Sequence, residues 1–421
     1  MIQVSHEAFA AFVGIDWADA KHDGCRQVAG SAKRDYCQLE HPPEAIDAWG
    51  TTLRMRCHGQ PVALCLALNK GPLGSALRTY DFLVLCPIHP LTLARYREAF
   101  TPSRAKDDPT DAALQLALLL PQRDKLQPLN PQSPTMRALA QLIAHRRRVV
   151  GDTVRITNRL PSTLKNYFPH VLHGLQEKDT AIFCDFLSRW PTLKAVPLAR
   201  RATLATFFRA HHVRYAEVIA QRIQASKAAP PLPTDAGVMA PHALLVQALV
   251  AQLRGTLQAL ADCDTAIAQR AQSHPDFPLF QALPGAGPVF APRLLVACGE
   301  QRERYACAAD LQKYAGSAPV TERSGKKSWV HGRLQCPKFL RHTFVEWAAE
   351  SLRPSFWAQV SYQQPRDKGK AHQAAVRARA FQWIRILSRC WQERTPYDAA
   401  IYRQALHRRG ASLSQTLAKA S

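Results

Sequence analysis

Residues 62–68, Val-Ala-Leu-Cys-Leu-Ala-Leu, are apolar without interruption, with Pro61 before them and Gly71-Pro72 shortly after. A strand-length run with no polar alternation has to be covered on both faces, as a strand in the middle of a parallel or mixed sheet is. The flanking chain supplies the rest of such a sheet. Residues 8–16, Ala-Phe-Ala-Ala-Phe-Val-Gly-Ile-Asp, read as a second buried strand ending on an aspartate, and strand-like pieces follow near 23–29 and 34–39. A helix is expected from about Pro43 to Arg56, and another opens at Gly71-Pro72 and ends near Thr79. A strand over 82–86 stops at Pro87, and helices follow over roughly 90–98 and 109–120. Strands, a helix, then strand and helix in alternation predict an α/β domain over residues 1–125.

The texture then becomes helical. Residues 121–134, rich in Pro, Gln and Asn, read as a linker. From Met136, Leu142, Val149 and Ile156 recur every seven residues, and Leu139, Ile143, Val150 and Val154 fill the neighbouring stripe. Pro161 is expected to kink or end that helix. A second helical block covers 179–225, and a proline-rich loop 226–241. Val246, Val250, Leu253, Leu257 and Leu260 then form a short coiled-coil seam. Residues 126–275 are therefore expected to be a helical, coiled-coil region. Beyond it, Leu283-Pro-Gly-Ala-Gly-Pro is a tight turn into a helix near Val289. A short helix covers 308–314, a basic loop or hairpin 321–333, and helices 338–353 and 371–392. Residues 276–400 thus read as a mostly helical last domain, with a tail over 401–421.

Charge narrows the partner. The 421 residues carry 55 Lys and Arg against 32 Asp and Glu, a formal charge of +23, spread along the chain. A polyanion is the simplest partner, and nucleic acid the commonest one. An anionic membrane surface is the rival, but there is no lipidation motif and no single basic amphipathic helix. No run of about 18 apolar residues is expected to span a membrane. The N-terminus has no basic lead typical of a signal peptide. The 11 cysteines form no C-x-x-C pair and sit in apolar stretches, as in Leu64-Cys65-Leu66. Reduced, buried thiols point to a cytoplasmic protein, here a nucleoid-associated one.

Against this basic background Asp107, Asp108 and Asp111 form a tight acidic cluster, with Arg104 and Lys106 directly before it. Asp108 and Asp111 stand three apart on a helix face and, with Asp16 at the end of the first strand, could converge on a divalent metal that clamps a phosphodiester. The competing reading is capping. Asp108 before Pro109 is a good N-cap, and Asp111 suits the first turn of a helix dipole. Ser324, in Glu322-Arg-Ser-Gly-Lys-Lys327, could attack phosphorus with Arg323, Lys326 and Lys327 stabilising charge, or could be a turn residue. Pro284-Gly-Ala-Gly-Pro288 could offer backbone N–H groups to a phosphate, or could simply be a turn. Arg146, Arg147 and Arg148 suit phosphate contacts along a nucleic-acid backbone, or a solvated helix face. Trp383 and Trp391, among the basic residues of 377–391, read as core.

The order of these features resembles the transposases of the insertion sequence IS110 family. The resembling stretches include Phe12-Val-Gly-Ile-Asp16-Trp-Ala, Tyr96-Arg-Glu-Ala-Phe, Ser103-Arg-Ala-Lys-Asp-Asp-Pro-Thr-Asp-Ala112, Leu283-Pro-Gly-Ala-Gly, Ser324-Gly-Lys, Cys336-Pro-Lys-Phe-Leu-Arg341 and Arg394-Thr-Pro-Tyr-Asp398. The resemblance implies a RuvC-like, ribonuclease-H-fold DEDD domain, a coiled-coil middle and a C-terminal transposase domain. It assigns Asp16, Asp108 and Asp111 to Mg²⁺ and Ser324 to the nucleophile of a covalent phosphoserine–DNA intermediate. It also implies a structured bridge RNA that selects donor and target DNA by base pairing, and a dimer or tetramer. One position departs from the pattern: the family's glutamate falls on Ala67, followed by Leu68 and Asn69. Alanine cannot ligate metal, so activity is expected to be impaired unless another carboxylate, such as Asp19, substitutes. The alternatives are a non-catalytic RNA/DNA-binding relic and a RuvC-like junction nuclease without the serine step.

Overall fold

The computed structural model describes residues 9–67, 71–100, 107–122, 126, 128–228 and 235–408. The chain divides into two compact units, Met1–Pro131 and Gln132–Ser421.

The first unit is a mixed α/β sheet with helices on both faces. Its elements are β1 (Ala11–Asp16), β2 (Lys21–Val28), β3 (Arg34–Glu40), α1 (Pro43–Arg56), β4 (Val62–Leu66), α2 (Pro72–Leu77), β5 (Leu83–Pro87), α3 (Pro90–Phe100) and α4 (Asp108–Gln122). The strand order is β3-β2-β1-β4-β5. β1 runs antiparallel to β2 and parallel to β4, which is parallel to β5. The first five residues of the apolar run, Val62–Leu66, thus form a central strand buried at every position. Val13, Ile15, Leu64 and Leu66 meet Ile46, Leu53, Leu73 and Leu77 on one face. Phe12, Ala63, Cys65 and Cys86 meet Leu93, Ala112, Leu116 and Leu119 on the other. Burial pushes the Cys65 thiol up to about 12 and Cys86 to about 11, so both stay protonated. All 11 cysteines are free.

Among its described residues the second unit is helical apart from one hairpin. It comprises α5 (Pro134–Leu164), α6 (Val171–Gly174), α7 (Ala181–Arg189), α8 (Ala195–Leu198), α9 (Arg201–Ala210), α10 (Ala216–Ala228), α11 (Ala236–Gln272), α12 (Phe277–Gln281), α13 (Gly287–Cys298) and α14 (Ala308–Tyr314). After the hairpin β6 (Val320–Ser324) and β7 (Lys327–His331) come α15 (Lys338–Glu350), α16 (Phe356–Asp367), α17 (His372–Glu393) and α18 (Ala399–Arg408). α5 opens on a Ser133 cap, whose Oγ accepts from Met136 N at 3.1 Å, with Pro134 in the first turn. α5 and α11 pack along each other and join two cores. Ile156, Leu160 and Leu164 with Val246, Val250 and Leu253 bury against the phenylalanines of α7 and α9. Met136, Leu139 and Ile143 with Ile267 and Ala271 belong to the core around Trp347, Trp383 and Trp391.

Several sequence expectations change here. Pro161 lies in the last turn of α5, which ends three residues later at Leu164. The loop expected up to residue 241 is shorter, because α11 begins at Ala236 behind an Asp235 cap and carries Pro241 inside it. α12, α16 and α18 were not anticipated. α11 contains an 18-residue window of mean hydropathy 1.5, long and apolar enough to cross a membrane by length and composition alone. In the fold, the same helix buries Met239, Val246, Leu249, Val250 and Leu253 in a helical core, and a core helix has the same composition.

Candidate functional site

β1 alternates strictly. Val13 and Ile15 enter one core, while Phe12, Gly14 and Asp16 face α4. Gly14 is what lets α4 lie there. A Cβ on it would come within 2.2 Å of the Ala112 carbonyl oxygen and 2.6 Å of the Leu116 nitrogen. The close approach brings Gln115 onto Asp16, whose Oδ1 accepts from Gln115 Nε2 at 3.3 Å. Gln115 is fully buried, and its Oε1 has no hydrogen-bond partner. Leaving such a carbonyl oxygen unmatched costs about 1–3 kcal/mol.

Asp111 lies one turn before Gln115 and is 2% exposed. Its carboxylate is gripped by Arg97 of α3: Nη2 lies 2.5 Å from both oxygens, and Nε donates to Oδ1 at 2.8 Å. The cap differs from the expectation by one residue. α4 begins at Asp108, the Asp107 carbonyl accepts from Asp111 N at 2.9 Å, and Thr110 Oγ1 donates to Asp107 Oδ2 at 3.0 Å. Asp107 is therefore the cap, and Asp108 and Asp111 lie in the first turns, where their charge suits the helix dipole. Arg104 and Lys106 lie outside the described residues, as do Leu68 and Asn69.

The strand register places the neighbours of Asp16. On one side, β1 and β4 pair as far as Ile15 and Leu66, so Ala67 is next in line beside Asp16. Ala67 packs against the core cluster that includes Phe12 and Ala112 and offers no ligand. On the other side, Asp16 stands directly opposite Asp23 of β2. Asp23 is 9% exposed, and its Oδ1 accepts from Gln38 Nε2 at 3.3 Å. Asp19 is exposed in the β1–β2 turn. Beside it, fully buried His22 accepts from Ala18 N at Nδ1 (3.2 Å), so its proton sits on Nε2, 3.0 Å from His41 Nδ1. Burial, then the charge of His41, pushes the His22 pKa down. Among the described residues no three His, Cys, Asp or Glu side chains gather closely enough to hold a metal ion. Asp16, Asp108 and Asp111 share one side of the sheet, but they do not form one donor set.

Ser324 closes β6 and pairs across the hairpin with Lys327. Gly325 and Lys326 make the two-residue turn, and Gly325 takes φ +56° with open space around it, as a first-position turn glycine does. The hairpin is exposed, with Arg323, Ser324, Lys326 and Lys327 all at the surface. Glu322 on the same hairpin accepts from Trp329 Nε1 at 2.9 Å and lies 3.2 Å from His331 Nε2. The other basic candidates are partly committed. Arg146 is held by Asp264 at 2.5 and 3.1 Å, and Arg147 covers the Phe339 ring and lies 3.1 Å from His342 Nδ1. Arg148 is exposed. The glycine turn at 284–288 is packing rather than an open cradle. A Cβ on Gly285 would strike the Glu350–Ser351 backbone at 2.7 Å, and Trp347 Nε1 donates to the Pro284 carbonyl at 3.0 Å.

Sequence reasoning missed Asp23, Arg97 and Gln115. The one local signal was Gln115 itself, a lone amide among leucines four residues after Asp111. Comparison with known proteins fits both ends of the chain. A family model of the DEDD type associated with IS110, described as a transposase, matches residues 13–169, and a second, described as Transposase IS116/IS110/IS902 family, matches 278–363. The chain is similar to the mini-circle putative transposase for IS117 of Streptomyces coelicolor, 29% identical over 93% of this chain and 96% of that protein. It is also similar to the uncharacterized 43.6 kDa protein of insertion element IS110 of the same species, 25% identical over 71% and 73%. A putative transposase, y4uE, of Sinorhizobium fredii is 24% identical over 48% and 57%. The first match holds Asp16, Asp108 and Asp111 and the second holds Ser324, so the chain belongs to the IS110 family of insertion-sequence transposases.

Proposed function

We propose that this transposase cuts and rejoins DNA by serine transesterification, with a structured RNA of its own element choosing the sites. The observation that carries the reading is Ser324 at the turn of an exposed hairpin, between Arg323 and the pair Lys326-Lys327, inside the second family match. In this reading Ser324 Oγ loses its proton and attacks phosphorus. The bond from phosphorus to the departing sugar oxygen breaks, and that oxygen takes up a proton. One phosphate ester is exchanged for another, so a DNA hydroxyl can reverse the step and join the new strand without outside energy. Arg323 and the lysines stabilise charge on the phosphate oxygens. The +23 charge supports an RNA and DNA duplexes as partners, held by backbone and shape. Arg148 and the hairpin residues are contact candidates. The sheet order and the helix on β1 support a ribonuclease-H-like reading of residues 1–125, with the coiled-coil part at 126–275 and the transposase part at 276–400, acting as a dimer or tetramer.

The DEDD name of the family implies a divalent metal, with Asp16, Asp108 and Asp111 as this chain's matching residues. As they stand, those residues do not fit one. Ala67 supplies no ligand, and both Asp111 oxygens are engaged by Arg97. The same facts favour a second reading, a binding relic with weakened cleavage.

The test is a covalent trap. The protein, the RNA transcribed from the non-coding region beside the gene and labelled DNA are mixed, and a protein–DNA adduct is sought on a denaturing gel. An adduct that disappears in Ser324→Ala supports the transposase. Cleavage that survives Ser324→Ala but not Asp108→Ala indicates a junction nuclease instead. Ala67→Glu should raise Mg²⁺-dependent cleavage, and robust cleavage by the unaltered chain with no gain on substitution would refute the impairment.

A further inference from the structure

We infer that Trp329 is a stacking platform for an unpaired base of the DNA strand presented to Ser324. Cross-strand partners of a hairpin leave the same face, and successive pairs leave opposite faces. Ser324 pairs with Lys327, Glu322 with Trp329 and Val320 with His331, so these six share one face, while Thr321 and Val330 leave the other. The contacts agree with that placement: Glu322 accepts from Trp329 Nε1 at 2.9 Å and lies 3.2 Å from His331 Nε2. Trp329 is thus the diagonal neighbour of Ser324, with Cβ atoms about 7–8 Å apart, within the reach of an aromatic side chain.

The pointer to a ligand is an aromatic ring left in the open. Every other tryptophan of the second unit is buried, yet Trp329 is 46% exposed, on a hairpin exposed at every position from Thr321 to His331. A two-stranded hairpin that nothing covers is marginally stable in water, so a partner that covers it adds to its stability. The surrounding charge selects the cover. Lys326 and Lys327 form and follow the turn, Arg333 comes just after β7, and the one acidic residue of the hairpin, Glu322, is engaged by Trp329 and His331. Lysine is depleted from the cores of protein–protein interfaces, which weighs against a second copy of this chain. An aromatic ring among lysines suits single-stranded nucleic acid, with phosphates on the cations and a base on the ring. A base inside a duplex is stacked on its neighbours, so the base that meets Trp329 has to be unpaired. Glu322 holds the indole by its N–H edge, which leaves stacking to the ring surface. The choice of the strand attacked by Ser324 rests on the transesterification reading; the stacking itself does not.

The test uses the full-length chain and a labelled single-stranded oligothymidine of about 12 nucleotides. Binding is followed by fluorescence anisotropy and by quenching of tryptophan emission. Trp329→Ala should weaken binding by roughly 5–150-fold, the loss of one stacked base. Trp329→Phe should keep most of the affinity while the quenched emission vanishes, which assigns that emission to this ring. Trp329→Leu, apolar but without a ring, should bind as weakly as Trp329→Ala. The slope of affinity against salt should stay the same in Trp329→Ala and fall by about 1 in Lys327→Ala, which removes a phosphate contact. Val330→Ala, on the opposite face, should change nothing, and a duplex of the same length should lose little with Trp329→Ala. An affinity indifferent to Trp329, an equal loss for duplex and single strand, or Trp329→Leu binding as well as Trp329→Phe would each overturn the stacking. Oligouridine held through Trp329 more tightly than oligothymidine would overturn the DNA assignment and give the face to RNA. Trp329-dependent binding without a serine adduct upholds the platform and sinks the transesterification. An adduct with binding indifferent to Trp329 does the reverse.

Discussion

Gly14→Ala should loosen the first unit at the point where α4 rests on β1. The backbone there is ordinary strand, so the substitution carries no conformational strain, and the whole effect is steric. The new methyl would meet the Ala112 oxygen at 2.2 Å, the Leu116 nitrogen at 2.6 Å and the Gln115 Cβ at 3.1 Å. The two nearest atoms are helix backbone, so no rotamer change relieves them, and α4 as a body has to withdraw by roughly 1 Å. Overpacking of this kind costs about 1–3 kcal/mol, and a clash with backbone belongs at the upper end. The same withdrawal carries Gln115 Nε2, now 3.3 Å from Asp16, out of hydrogen-bond range. Urea unfolding followed by circular dichroism measures the cost, and hydrogen exchange over 108–122 localises it. Gly24→Ala is the calibration. Its methyl would clash with the Cys37 sulfur at 2.7 Å, a side-chain atom that can turn aside, and meet the Cys37 carbonyl oxygen at an ordinary 3.6 Å, so its cost should be smaller. If Gly14→Ala unfolds at the same urea concentration as the unaltered chain, or is milder than Gly24→Ala, the close-approach argument is wrong.

Two further outcomes follow from buried charges. Arg97→Met strands the Asp111 carboxylate without its partner and should destabilise the first unit by about 3–5 kcal/mol, with most of the loss recovered in Arg97→Met/Asp111→Leu. A double-mutant cycle checks it, and a cost below about 1 kcal/mol for the single change would show that the pair is not holding α3 to α4. His22 sets a pH dependence. Its folded pKa lies below the ordinary 6.5, so the unfolded chain binds more protons between those values. The stability it contributes is complete above about pH 6.5 and is lost as pH falls through the folded value. The unfolding midpoint should therefore drop on acidification across this window, and His22→Asn should flatten that slope.

Much of the fold was legible because its causes are local. The apolar run at 62–66, the prolines opening α1 and α2 and the glycine turn after Ser324 each act within a few residues of chain. The carboxylates and the serine could be singled out in the same way, as charged or nucleophilic residues in motif order. The limits were local too. Proline reads as a breaker, yet Pro161 and Pro241 sit inside helices near their ends, each leaving one carbonyl four residues back without its N–H donor. What only the tertiary structure decided is which residues meet. Asp23 faces Asp16 because of a strand register, Ala67 stands beside it because of a parallel pairing, and Arg97 reaches Asp111 across two helices. Gln115 reaches Asp16 across 99 residues of sequence because Gly14 leaves room for a helix. Register and helix–sheet distance are set by all the contacts of the sheet at once, so no window of sequence contains them.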